Sequence, residues 1–133
     1  MSDSIHEEYV ATSYVHGDKR LSVYIAGPMS GMPKLNHDSF NNAENRLEKS
    51  RIFNKIVNPA SLDITFTEDL EGIAATDNEY RRNAISRDID LLLNCDSIFM
   101  LEGWENSKGA QVEHALANYL GLKIFYESRA GTV

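Results

Sequence analysis

Four short apolar runs, separated by stretches of helical spacing and the first two closed by turn signals, constrain this chain most. The first is "RLSVYIAG", residues 20–27, rich in β-formers and stopped at Gly27-Pro28. "KIVNPA" ends at Asn58-Pro59, "DSIFML" begins at Asp96, and "LKIFYE" begins at Leu122. The first run, short and apolar on both alternations, reads as a buried strand of a parallel sheet, and the other three as further short strands. Between them, residues 38–50 carry Phe40, Ala43 and Leu47 at helical spacing, residues 79–94 form the clearest helix, and "GAQVEHALANYLG" ends at Gly121 in a C′ role. The order β-α-β-α-β-α-β predicts a doubly wound, Rossmann- or flavodoxin-like α/β domain of three layers with four to five parallel strands. In such sheets a ligand lies beyond the carboxyl ends of the strands. That directs attention to the loop after Ala26, the loop after Met100 and the acidic segment 61–78.

The chain has 133 residues, the size of one domain with a core of its own. Residues 1–20 read as a polar lead-in or tail, residues 21–133 as a single domain, and 61–78 as an acidic insertion or lid. A formal charge of −7 argues against nucleic acid polymers and anionic membranes as partners. A small phosphorylated ligand stays open, because local donors decide that. One cysteine, Cys95, allows no internal disulfide and reads as a buried thiol. No run is long enough to span a bilayer, and "MSDSIHEEYV" lacks the order of a signal peptide, so a cytoplasmic setting is expected. His6, His16, His37 and His114 do not pair at ligand spacing, so neither a metal nor a cofactor is expected.

On the helix at 79–94, steps of 100° place Ile85, Ile89 and Leu92 on one face with Asp88 beside them, and Asp90 on the other. Asp88 then either pairs with Arg81 or a backbone group, or serves a site. On the last helix Val112, Ala115, Leu116 and Tyr119 form the expected buried stripe, with Glu113 at its edge. The pattern by itself favours an exposed Glu113. Ser107 and Glu113 are too far apart for a capping box, although Ser107 suits a simple N-cap. The turn "YIAGPMSGMP" lets backbone approach a phosphate or sugar, yet it is neither a phosphate loop nor a dinucleotide fingerprint, and ordinary turn chemistry explains it equally well.

Taken together, "YIAGPMSG", "NPA", "RDIDLLLNCDSIFMLEGW" and "SKGAQVEHALANYLG" resemble the nucleoside 2-deoxyribosyltransferase-like superfamily, and within it a short branch of phage and bacterial genomes akin to 2′-deoxynucleoside 5′-monophosphate N-glycosidases. The likeness runs from about Val23 to Tyr126. It implies cleavage of the N-glycosidic bond of (deoxy)nucleosides or their 5′-monophosphates, with Glu113 as nucleophile, Asp88 as the acid that serves the base, and Tyr24 orienting Glu113 or the sugar. It further implies that Gly27, Pro28, Met29, Ser30 and Gly31 line the sugar or phosphate pocket. Ser107, Gly109, Trp104 and Arg81 complete the substrate contacts. Trp104 either stacks on the base, shields the site, or simply packs. Ser107 stands where the monophosphate hydrolases carry a phosphate-binding serine. Those hydrolases also carry a first-loop arginine where this chain has Met29-Ser30, leaving Arg81 or Arg129 to replace it. Relatives of this kind are homodimers, so a homodimer or higher homo-oligomer is expected.

The chemistry sets its own demands. The nucleophilic carboxylate must be ionised near neutral pH, which the N-terminal half of a helix favours. The departing base needs a proton from a carboxyl with a raised pKa. A base-exchanging transferase and a non-catalytic binder of a nucleotide-derived molecule are the competing expectations.

Overall fold

The computed structural model of the protein describes residues 20–62 and 78–127. The N-terminal lead-in up to residue 19, most of the acidic insertion (63–77) and the C-terminal residues 128–133, with Arg129, lie outside the described residues. The elements are β1 (Leu21–Ala26), α1 (His37–Ser50), β2 (Phe53–Val57), α2 (Asn78–Leu93), β3 (Ser97–Met100), α3 (Lys108–Leu120) and β4 (Lys123–Tyr126), with short 3-10 turns between some of them. All strand pairs are parallel, in the order β2-β1-β3-β4. The expected three-layer α/β class is therefore the one observed, with four strands among the described residues.

Alternation along β1 divides the core. Val23 and Ile25 face α1 and pack with Phe40, Ala43 and Leu47, together with Phe53 and Phe99. Tyr24 and Ala26 face the other way, against Leu92 of α2 and Ala110 and Ala117 of α3, together with Ile98 and Met100. This is the period-2 geometry of a strand buried on both faces. Cys95 is buried, as expected, and burial pushes its thiol up to about 11.

Two polar devices fix the frame. At the start of the sheet, Asp96 Oδ2 accepts from Ser22 N at 3.1 Å and from Ser22 Oγ at 3.2 Å, while Asp96 N donates to Ser22 Oγ at 2.8 Å. Ser97 Oγ donates to Ser22 O at 2.7 Å, which pins the register of β3 on β1. Past β2, buried Asn58 donates at 2.9 Å to both Asn41 Oδ1 and Glu44 Oε1 of α1 and accepts from Ala60 N. The "NPA" stretch thereby ties the end of β2 to α1.

The connection from β1 to α1 is unusual. Lys34, Leu35 and Asn36 are all left-handed, with φ of 50°, 52° and 63°. L-residues disfavour this region by roughly 1–2 kcal/mol each. Burial of Leu35 and a 2.9 Å bond from Asn36 Nδ2 to Pro28 O hold the turn in place.

Asp96→Ala leaves the buried Ser22 N–H without its acceptor. A stability loss of about 1–3 kcal/mol in urea denaturation is expected, with Asp96→Asn retaining part of it.

Candidate active site

The order β2-β1-β3-β4 reverses direction between β1 and β3, so the crevice at their carboxyl ends is the switch point of the fold. Beneath that edge, on the α2/α3 face, four chemistry-bearing side chains converge. Tyr24 on β1 is fully buried, and its hydroxyl donates to Glu113 Oε2 on α3 at 2.7 Å. Glu113 is only 5% exposed. Asp88 on α2 has a side chain 13% exposed, and it accepts from Arg87 Nε at 3.0 Å and Arg87 Nη2 at 2.8 Å, both on Oδ1. The charges of Asp88 and Arg87 act on both Tyr24 and Glu113, so the four groups form one electrostatic unit.

The burial of Glu113 corrects the helix phase expected from the pattern. Val112 is 49% exposed, Tyr119 is 82% exposed and Ala115 is exposed as well, whereas Ala110, Glu113 and Ala117 form the buried side. Leu116 is half-buried. Ala110 and Ala117 pack in one cluster with Tyr24, Ala26, Ile98 and Met100 of the sheet, and the apolar Val112 and Tyr119 are left outside. The tyrosine on β1 supplies the polar partner that lets a glutamate occupy the buried side. On α2 the phase is as expected: Leu92 is buried, Ile85, Asp88 and Ile89 are half-buried, and Asp90 is exposed.

A second correction concerns ionisation. Burial pushes the Glu113 carboxyl up to about 8; the Tyr24 hydrogen bond pulls it down, the Asp88 charge adds to the rise, and Arg87 opposes it. The early position of Glu113 in α3 does not hold its carboxyl down, because loss of water is the largest influence on it. Burial and the neighbouring carboxylates also hold the Tyr24 phenol far above its ordinary range, so it stays a donor.

The remaining candidates fall into place around this centre. Gly27 follows β1, and a Cβ there would stand 2.7 Å from Leu101 Cβ, so close approach of the β3 end accounts for the glycine. Pro28 O accepts from Asn36, Met29 packs on the α1-side core, Ser30 is exposed, and Gly31 takes a φ of 80° that favours glycine. Ser107 caps α3, accepting from Ala110 N at 3.2 Å. Gly109 is exposed on the first turn of that helix. Trp104 stacks on His114 with centroids 4.2 Å apart, and His114 Nε2 is 2.8 Å from Tyr126 Oη. Of the readings open for Trp104, packing is the one with a partner in the structure. Arg81 is not turned inward with Asp88: it sits in the exposed first turn of α2 and bonds to Asn78 Oδ1 at 3.1 Å. Arg87 is the arginine at Asp88. Helical spacing gave no hint of it, since adjacent residues on a helix do not normally face each other; Arg87 reaches Asp88 by folding its long side chain back.

Among the described residues no cluster of His, Cys, Asp and Glu is arranged to hold a metal, and no helix is long and apolar enough to cross a membrane.

The raised Glu113 value has a consequence for stability. Between about 4.5 and about 8 the unfolded chain has released this proton and the folded chain still holds it, so stability falls as pH rises through that window. Glu113→Gln has no proton to release. The stability of wild type relative to this variant should therefore decline across the window by roughly a few kcal/mol, as read by urea denaturation at stepped pH, and level off above it.

Neither the curated proteins nor the solved structures contain a match to this chain. A family model does match, over residues 21–126, which is nearly the whole of the described fold and includes every side chain of the site. Its description, "Domain of unknown function", names no activity, so any reaction must be argued from the side chains. The chain belongs to the DUF4406 family.

Proposed function

We propose that the protein is an N-glycosidase acting on (deoxy)nucleoside 5′-monophosphates, with Glu113 as nucleophile, Asp88 as acid and base, and Tyr24 orienting Glu113. The observation that carries this reading is the 2.7 Å bond from Tyr24 to a buried Glu113 that also feels the charge of Asp88. Two acids so placed can hold one proton between them, as a double displacement at a sugar carbon requires. The likeness of the sequence to the nucleoside 2-deoxyribosyltransferase-like superfamily supplies the substrate class.

In the first step an ionised Glu113 oxygen attacks C1′. The C1′–O bond forms as the C1′–N bond breaks, the bonding pair leaves with the base, and the Asp88 carboxyl protonates that base. In the second step Asp88 takes a proton from water, whose oxygen attacks C1′ and releases Glu113. Two inversions retain configuration. A second base in place of water would make the protein a transferase. The raised Glu113 value also favours a second reading, in which a neutral Glu113 donates a hydrogen bond to a nucleotide that is held and never cleaved.

Incubation with the common ribo- and deoxyribonucleoside monophosphates and their nucleosides, followed by chromatography, should reveal free base from one class of monophosphate. Glu113→Gln should reduce base release at least about a thousandfold while leaving nucleotide binding within about tenfold. Binding without base release by the wild type would establish the binder. Exchange only when a second base is added would establish the transferase.

The pH profile of kcat/KM should be bell-shaped, with an alkaline limb near about 8, where the last proton leaves the two-acid site. Tyr24→Phe removes the hydrogen bond that favours ionised Glu113. The alkaline limb should then move to higher pH, and the maximal rate should fall by about tenfold or more.

A further inference from the structure

The reading above needs Asp88 protonated and Glu113 ionised, yet the ligand-free arrangement is built the other way. Arg87 places two charge-assisted donors on a single oxygen of Asp88, at 3.0 Å and 2.8 Å. A guanidinium in contact with a carboxylate favours its ionised form. Among the described residues no such cation is in contact with Glu113; its oxygen Oε2 accepts from a neutral phenol in a buried setting.

We propose that Arg87 is a positioning residue that assigns the shared proton. By clamping Asp88 Oδ1 it keeps the negative charge on α2 and leaves the proton on Glu113, the assignment in which Glu113 is not a nucleophile. Among the described residues, the groups whose charges or hydrogen bonds act on the pair include Tyr24 from β1, Asp88 and Arg87 from α2, and Glu113 from α3. Arg87 lies one residue from Asp88, and its side chain is about one-third exposed. When a bound substrate loosens the clamp, Asp88 loses the cation that favoured its charge and takes the proton from Glu113. No atom is gained or lost; one proton passes between two carboxyls, and the nucleophile becomes ionised only when there is something to attack. This rests on the glycosidase reading for its purpose, but the proton assignment itself needs no substrate.

The test is a ligand-free titration of protein labelled with 13C at its Asp and Glu carboxyl carbons, with Asp88 and Glu113 assigned from Asp88→Asn and Glu113→Gln. In wild type at pH 7, Asp88 should report as carboxylate and Glu113 as carboxylic acid. In Arg87→Gln the Asp88 midpoint should rise by at least about one pH unit, with the proton moving from Glu113 towards Asp88. Arg87→Lys, which keeps the charge without the paired donors, should show a smaller shift in the same direction. Overall stability, measured alongside by urea denaturation, reports a merely structural role, which would leave the two midpoints where they were. An unchanged Asp88 midpoint in both variants overturns the assignment, as does a wild-type Glu113 ionised at pH 7. Absence of base release in the activity panel would overturn the glycosidase reading and leave this titration to be judged by itself.

Discussion

The hydrogen bond from Tyr24 to Glu113 joins the middle of the sheet to the helix that covers it, and much else follows from it. A glutamate with 5% of its surface exposed requires a donor, and a fully buried tyrosine requires an acceptor. Each answers the other. Their contact fixes the rotation of α3 about its axis, which in turn puts Ala110 and Ala117 against the strands and turns Val112 and Tyr119 outwards. The same contact brings the carboxyl within the field of Asp88 and Arg87. One bond thereby couples packing to electrostatics.

The architecture was legible from residue order because each strand had a distinctive composition, and the first two also had a stop signal at Gly27-Pro28 and Asn58-Pro59. The α1 face was equally plain: Phe40, Ala43 and Leu47 are apolar, regularly spaced and buried. Asp88 and its half-buried neighbours on α2 followed from the same arithmetic. The phase of α3 did not, since hydrophobicity is a guide to burial only where the partner surface is apolar. Here a phenol hydroxyl is part of that surface, and no count of apolar residues along α3 can reveal an acceptor's need on β1. The resemblance proposed for "SKGAQVEHALANYLG" drew attention to Glu113 where periodicity pointed away from it. The role of Arg87 was hidden for a different reason. Its contact with Asp88 depends on a rotamer and not on helical spacing.

Charge at this site is a contest between losing water and gaining partners. For Glu113 water loss is the largest influence, and the hydrogen bond from Tyr24 only reduces its effect. For Asp88 the paired donors of Arg87 stand directly on the carboxyl. Two acids of nearly the same intrinsic strength are thus given different surroundings while each lies within the other's field.

Tyr24 and Glu113 lie 89 positions apart in the chain, and Asp88 arrives from a third element between them. Local order alone therefore assembles nothing: β1 has to be laid down beside β3, and both covering helices docked, before the phenol meets its carboxylate. In the unfolded chain these are ordinary, water-exposed acids. Their altered surroundings are therefore a property of the completed fold and of no shorter stretch of it.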